Sequence, residues 1–534
     1  MLSRGLRPDG ARPPDVSRAP AGAPFRPRVR TTGGVVAGSA QGGVQAFKGV
    51  PYAAPPVGPL RFASPRPVAP WAGEREAVAH AASFPQPGCS DCGEDGLYAN
   101  VWTPGTRGSR PVLVYVHGGG WFHGAGSEPV YDGAALAARG LVVVTFNYRL
   151  GVLGQGLHPG LADPVTGADG NWGLQDQAHL VRWVHENAPA FGGDPGNITL
   201  CGTSGGGAGV WRLSLLPGTR PLIRRAVVIS AAHAVSPATG LTRDDAEEVF
   251  DALARELGTP VPGLREVPEP VLRGAWERYF APPPWKRGVR SGRVYQGPVA
   301  GGPLMDAYDD ELPTPGVPLL VVGARTEGTF FTGPRSPVRV PRTDTEEELR
   351  SAVRSYLSAL RYGAPGEEAV RALVDGYREA ARDEGRPGDG LSLYAEIYGD
   401  GIFRHPSVRL AERHAREGVT PLYYLDFAHP VLPPGSGTPH ESTSPFLFGT
   451  YGQPDRAAVH GDGPLEQSVS RAFMDAVSSF ARDGAPRAPG VSDWPVLTPG
   501  SHRAVTLGEH ARADIAPIPK TRQLLCWDSI MERK

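Results

Sequence analysis

Leu200-Cys201-Gly202-Thr203-Ser204-Gly205-Gly206-Gly207 is the stretch whose reading decides the fold. It follows an apolar, β-like run, Asn197-Ile198-Thr199-Leu200, and leads into Ala208 to Leu216, which can be helical. A G-x-S-x-G sequence between a strand and a helix is what a nucleophile elbow needs. The sharp turn forces the central residue into strained backbone angles and lifts its Oγ clear of the sheet. Gly202 and Gly206 suit that turn because a Cβ at either place would crowd it. The pattern is short and built of common residues, so its weight depends on the residues that lie just beyond the other strands.

Those strands are read from apolar runs on either side. Val44 to Val50, Leu97 to Trp102, Val112 to Val116, Leu141 to Phe146, Ala226 to Ile229, Val317 to Val322 and Leu422 to Phe427 all have strand character, the last closing the ordered sheet. Asp176 to Asn187 has helical spacing, as do Asp244 to Leu257, Thr345 to Leu360, Glu367 to Asp383 and Val408 to Glu417. Pro260 to Pro284 reads as a proline-rich connector. Strands alternating with helices predict an α/β fold with a large, mostly parallel sheet flanked by helices. The long helical inserts, about 240–315 and 335–415, are expected to cap the end of the sheet that carries function.

In such sheets functional groups gather at the carboxyl ends of strands. Directly after Val317 to Val322 comes Gly323-Ala324-Arg325-Thr326-Glu327-Gly328, and after Leu422 to Phe427 a loop with His429 and His440. The order Ser204, Glu327, His440 is the Ser…acid…His order of α/β-hydrolases. A serine hydroxyl becomes a useful nucleophile only when an imidazole accepts its proton and a carboxylate fixes the imidazole's tautomer. His117-Gly118-Gly119-Gly120-Trp121, after Val112 to Val116, supplies glycines whose backbone N–H groups can approach a developing oxyanion. His429 is the rival base.

Composition bounds the class. The 534 residues carry a formal net charge of −1, which gives no electrostatic reason to expect nucleic acid or an anionic membrane surface as partner. Lysine is nearly absent (Lys48, Lys286, Lys520 and Lys534), which reads as genomic base composition and not function. No run approaches 18 apolar residues, so no membrane span is expected. Residues 1–30 are rich in Pro, Arg, Ala and Gly without an apolar signal core, and read as a disordered extension before a single domain, 31–534. A cytoplasmic monomer or homodimer is the corresponding expectation. Cys89 and Cys92 lack the second pair or histidine cluster of a metal site, so no metal or cofactor is expected, and they read as loop thiols or a small local disulfide.

These pieces together resemble the type-B carboxylesterase and cholinesterase family of α/β-hydrolases, in particular its bacterial para-nitrobenzyl-esterase-like members. The resemblance rests on F-K-G-V-P-Y-A-A-P-P-V-G-P-L-R-F at Phe47–Phe62, E-D-G-L-Y-A-N-V-W-T-P at Glu94–Pro104, H-G-G-G-W at His117–Trp121 and N-Y-R-L-G at Asn147–Gly151. G-N-W-G-L-Q-D-Q at Gly170–Gln177, F-G-G-D-P-G-N-I-T at Phe191–Thr199, E-G-T-F-F at Glu327–Phe331 and G-T-P-H at Gly437–His440 continue it in order. It implies a serine carboxylesterase acting on small to medium neutral esters through an acyl-enzyme. Ser204 matches the nucleophile, Glu327 the acid and His440 the base, with Gly119, Gly120 and Gly205 at the oxyanion-hole positions. Trp121, Phe122, Phe330 and Phe331 become candidate lining of the substrate pocket, and His117 becomes structural. Glu94 and Arg149, and likewise Arg61 and Asp95, sit where the family forms buried ion pairs.

The chain departs from the family at three places. Thr203 and Gly205 stand where G-E-S-A-G has its acid and alanine, Thr443 where an acid follows the base, and Gly96 where a loop disulfide would have its second cysteine. Gly205 is expected to leave one oxyanion donor less firmly held, so that Gly205→Ala raises turnover. The segment between Trp71 and Glu94 has no tryptophan, so the aromatic cap for quaternary ammonium is missing and choline esters are poor candidates. Alternative readings are an acyltransferase or lactone-processing enzyme using the same triad, and a non-catalytic binding protein.

Overall fold

The computed structural model describes residues 26–231, 241–281, 297–309, 311–334, 336, 340–359 and 366–531. Among them are fourteen strands: β1 (Arg28–Arg30), β2 (Val35–Ala37), β3 (Ser39–Gln41), β4 (Val44–Pro51), β5 (Glu74–Glu76), β6 (Tyr98–Thr103), β7 (Arg110–Val116), β8 (Val142–Phe146), β9 (Gly193–Thr203), β10 (Arg225–Ile229), β11 (Leu319–Ala324), β12 (Leu422–Phe427), β13 (Arg503–Leu507) and β14 (Asp514–Pro517). Eleven form one sheet in the order β14-β13-β12-β11-β10-β9-β7-β8-β6-β4-β3, and β1-β2-β5 form a small second one. The centre, from β13 to β8, is parallel throughout, and antiparallel pairing is confined to the two flanks. This is the α/β-hydrolase arrangement.

The central strands are buried along nearly their whole length, as expected where helices cover both faces. On one face Trp172–Asn187 and Gly205–Leu213 pack against Val114, Leu200 and Val228. On the other, the twenty-residue helix Pro464–Asp483 lays Val469, Phe473, Val477 and Phe480 across Leu113, Val143 and Val227. Side chains alternate between the two cores along each strand, the period-2 rule acting on strands wet on neither side.

Several expectations are corrected. Leu422–Phe427 does not close the sheet, because β13 and β14 lie beyond it; their exposed ends and the hydrophilic 508–513 turn dilute the apolar pattern. The Pro260 to Pro284 connector is a 3₁₀ turn, Val261–Arg265, followed by the helix Glu269–Phe280: Pro268 and Pro270 occupy a helix start, where the missing N–H costs nothing. Arg28–Arg30, placed in the disordered extension, is strand β1 paired with β2. Residues 1–25, 282–284 of the connector and Leu360 lie outside the described residues. Among the described residues no helix is long and apolar enough to cross a membrane.

Candidate active site

The register of the parallel strands builds the site. Thr203 pairs with Ile229, Ile229 with Val322, and Ala324 with Phe427, so the residues that follow these strands emerge along one edge of the sheet. Ser204 leaves β9 with φ 59° and ψ −125°, far outside the regions an L-residue prefers, and the helix Gly205–Leu213 starts at once. The backbone N–H of Ser204 donates to Ile229 O at 2.9 Å and fixes the bend. A Cβ on Gly202 would lie 2.5 Å from Gly206 O, and one on Gly206 would collide with Val116 O. The two glycines therefore let strand, turn and helix close on one another, as the motif requires.

Glu327 is held by three donors. Its Oε1 accepts from Ser230 Oγ at 2.7 Å and Ala324 N at 2.8 Å, and its Oε2 accepts from His440 Nδ1 at 2.7 Å. Because the carboxylate can only accept, Nδ1 carries the proton and the Nε2 lone pair is left as the base. Nε2 is buried and has no hydrogen-bond partner among the described residues, so Ser204 Oγ is not yet bonded to it. That bond commonly tightens only when substrate arrives. Three phenyl rings surround the imidazole, Phe403 with its centroid 4.0 Å away, Phe331 at 5.9 Å and Phe330 at 6.2 Å.

Beside Ser204 runs the glycine turn. Gly119 (φ 101°) and Gly120 (φ 61°) adopt left-handed backbone that allows His123 N and Phe122 N to fold back onto Gly119 O. Gly120 N faces Gly205, 3.5 Å from where a Cβ on that residue would stand. Among the described residues no protein acceptor takes the N–H of Gly119, Gly120 or Gly205. Gly120 N thus lies beside Gly205, at the positive end of the Gly205–Leu213 helix dipole.

The remaining predicted residues have distinct places. His117 is fully buried and stacks on Tyr148 (4.3 Å, 18°), while its Nδ1–H donates to Gly118 O at 2.9 Å; burial pulls its pKa down to about 4, so it stays neutral and structural. His429 faces away, its Nε2 on Glu466 at 2.9 Å. Trp121 is only 1 % exposed, its indole wedged in a groove made by Gly205 and Gly209, one helical turn apart. Phe122 reaches a cavity of about 210 Å³ lined also by Leu153, Trp276 and Phe280, so the first insert packs at this end of the sheet. Phe330 and Phe331 are half-buried over the imidazole.

The ion pairs form with other partners than expected. Arg149 binds Asp176 through Nε–Oδ2 (2.8 Å) and Nη2–Oδ1 (2.7 Å), and Glu94 pairs with Arg61. Asp176 sits on the first turns of Trp172–Asn187, directly below Arg149, and also accepts the Arg149 backbone N–H. The departures from the family pattern are filled by hydroxyls and an aromatic ring. Tyr115 O–H donates to Thr203 Oγ1 at 3.0 Å and lies 3.1 Å from Ser444 Oγ, and the Phe84 ring stands where a side chain on Gly96 would go. Cys89 and Cys92 are free thiols, the Cys92 S–H directed at Cys89 O.

Sequence reasoning missed Ser230, Phe403, Arg404 and Asp426. Ser230 follows strand Ala226 to Ile229 directly, so the strand-end rule that found Glu327 applied to it as well. Arg404 donates to Ala324 O (2.8 Å) and Asp426 (3.2 Å), bracing the loop that carries Glu327. No local signal marks Phe403 or Arg404.

The profile of the Carboxylesterase family matches residues 26–527. Para-nitrobenzyl esterase of Bacillus subtilis is 31% identical over 520 residues, covering 93% of this chain and 98% of that protein. Phenmedipham hydrolase of Pseudarthrobacter oxydans is also 31% identical, over 92% of this chain and 97% of its own. Among solved structures, PNB esterase superimposes with a TM-score of 0.77 at 29% identity over 93% of this chain and 99% of that one. A carboxylesterase of Geobacillus stearothermophilus does so with 0.77 at 30%, over 94% and 99%. With the fold, the strand-end residues and these relatives in agreement, the chain belongs to the carboxylesterase family, as a carboxylic ester hydrolase of α/β-hydrolase fold.

Proposed function

We propose that Ser204, His440 and Glu327 form the catalytic triad of a serine esterase acting on small to medium neutral carboxylic esters. Ser204 Oγ attacks the ester carbonyl carbon while His440 Nε2 takes the hydroxyl proton. The oxygen that gains the negative charge turns toward the amides of Gly119, Gly120 and Gly205. The carbon–alkoxy bond then breaks, the imidazolium returns its proton to the leaving alkoxide, and water repeats the sequence on the acyl-serine. Glu327 holds the tautomer and offsets the imidazolium charge without taking the proton.

The observation that carries this reading is the 2.7 Å Glu327–His440 bond, which leaves Nε2 bare on the sheet edge where the strained Ser204 emerges. Neutral substrates are supported by the hydrocarbon rings around the imidazole and by the pairing of the buried Arg404 guanidinium with Asp426. The names of the relatives, para-nitrobenzyl esterase and fumonisin B1 esterase among them, agree with ester hydrolysis.

Rapid mixing with p-nitrophenyl esters of graded acyl length tests the proposal. A burst of one p-nitrophenolate per active site, absent from Ser204→Ala, is expected. Equal steady-state rates in both proteins would overturn the assignment.

A further inference from the structure

The catalytic imidazole is anchored at one end only. His440 Nδ1 is tied to Glu327 and its backbone N–H donates to Glu327 O at 3.3 Å, whereas Nε2 has no partner among the described residues. Hydrogen bonds in the plane of the ring leave rotation out of that plane unopposed. What opposes it is stacking, and the nearest ring is Phe403, at 4.0 Å with 32° between the planes.

Phe403 is presented by an unusual piece of backbone. Between the helices Gly390–Gly399 and His405–Glu417, residues Asp400–Arg404 form a π-turn. A π-turn adds one residue to a helical turn, is costly to keep, and is found mostly where function needs it. Here it is pinned on every side. Asp400 accepts from Lys520 Nζ (3.1 Å) and Tyr377 O–H (3.0 Å), and Trp527 Nε1–H in turn donates to Tyr377 (2.9 Å). Gly401 passes so close to Trp527 and Tyr356 that a Cβ would meet both. Gly328, next to Glu327, abuts Gly399 with no room for a side chain on either. The turn thereby delivers two consecutive side chains to the triad, Arg404 onto the Ala324 carbonyl and Phe403 onto the imidazole.

We propose that Phe403 is a positioning residue for ester hydrolysis: its ring keeps the His440 imidazole aimed at Ser204 and favours the imidazolium that forms in each transition state. The inference rests on the reading of His440 as the base. A phenyl face attracts a cation close above it, and more strongly where water is excluded. Among the described residues, the charged and titratable groups on the elements around His440 include Glu327 on the β11 loop with Tyr424 beside it, Glu441 next in the chain with Glu128 near it, and Arg404 on the π-turn, engaged with Asp426 and Asp400. The other neighbours, Phe330 and Phe331, are neutral and more distant.

The test compares Phe403→Met and Phe403→Leu, which keep bulk but lose the π face, with Phe403→Tyr, which keeps the ring. Each is measured for kcat, KM, the acid limb of the kcat/KM–pH profile and Tm, beside His440→Ala. The two ring-deleted variants should lose roughly 3- to 30-fold in kcat at little changed KM, with the acid limb moved to lower pH by about half to one unit. Phe403→Tyr should stay near the parent on both readouts. Unchanged kcat in the ring-deleted proteins, or a loss shared equally by Phe403→Tyr with no movement of the limb, would overturn the proposal and leave Phe403 as packing. If the ring-deleted chains melt before assay temperature, Phe403→Tyr decides alone: a limb displaced from that of the parent counts against the proposal and an unmoved one supports it. His440→Ala keeps the two readings apart. Residual activity there at the parent level removes the base itself, whereas an inactive His440→Ala beside unaffected Phe403 variants removes only the present inference.

Discussion

In Gly205→Ala the added Cβ would stand 3.2 Å from both Cδ1 and Nε1 of Trp121, where heavy atoms settle at roughly 3.5–4.0 Å. Something must give by a few tenths of an ångström. The indole has little freedom to withdraw, because it is sealed from solvent and packs edge-on against Tyr148. The yielding part is the 119–121 turn, which holds two of the three proposed oxyanion donors. Overpacking of this kind costs about 1–3 kcal/mol, and outright loss of one donor about 10²–10³ in kcat. A displaced but present donor falls between, so we expect kcat lower by roughly 5- to 100-fold. This reverses the expectation drawn from sequence, in which a methyl would stiffen the donor; Trp121 already fills that space. Steady-state kinetics on p-nitrophenyl acetate and butyrate, normalised by active-site titration, give the number. A Gly205→Ala enzyme as fast as the parent or faster would refute the reasoning.

Acidification should unfold the protein well before its carboxylates are exhausted. Burial pulls the pKa of His117 down to about 4, and burial also lowers those of His80, His123, His179, His405 and His414. The unfolded chain takes up these protons near 6.5 and the folded one does not, so stability is complete above 6.5 and is lost as pH falls toward 4. His117 alone contributes about 3 kcal/mol of that loss. Urea unfolding between pH 7 and 4.5 checks this, and a flat profile would contradict it. Removing one member of the buried Arg149–Asp176 pair, as in Asp176→Asn, should destabilise by about 3–5 kcal/mol because the guanidinium stays buried without its charge partner; a change in the denaturation midpoint equivalent to under 1 kcal/mol would show the pair to be dispensable.

Physical range decides how much could be read from sequence. Ser204, Glu327 and the Gly119–Gly120 turn lie within a few residues of apolar strands, so local pattern and the strand-end rule locate them. His440 lies thirteen residues past the end of Leu422–Phe427, and chain order plus the family resemblance were needed to choose it over His429. Arg149 was recognised as buried but assigned the wrong partner, since ion pairing is decided by which helix passes underneath. Asp176 and Glu94 look alike in sequence. Phe403 and Arg404 were out of reach because their roles arise from a π-turn whose register depends on Lys520, Tyr377 and Trp527, more than twenty to well over a hundred residues away. Strands β13 and β14 were hidden by short length and exposed ends.

The central claim, that Ser204 is the nucleophile activated by His440, is tested most directly by covalent capture. Intact-mass analysis after a fluorophosphonate probe should show one adduct per chain, mapped by peptide sequencing to Ser204 and abolished in both Ser204→Ala and His440→Ala. Stoichiometric labelling that persists in Ser204→Ala, or that maps to another serine, would contradict the account.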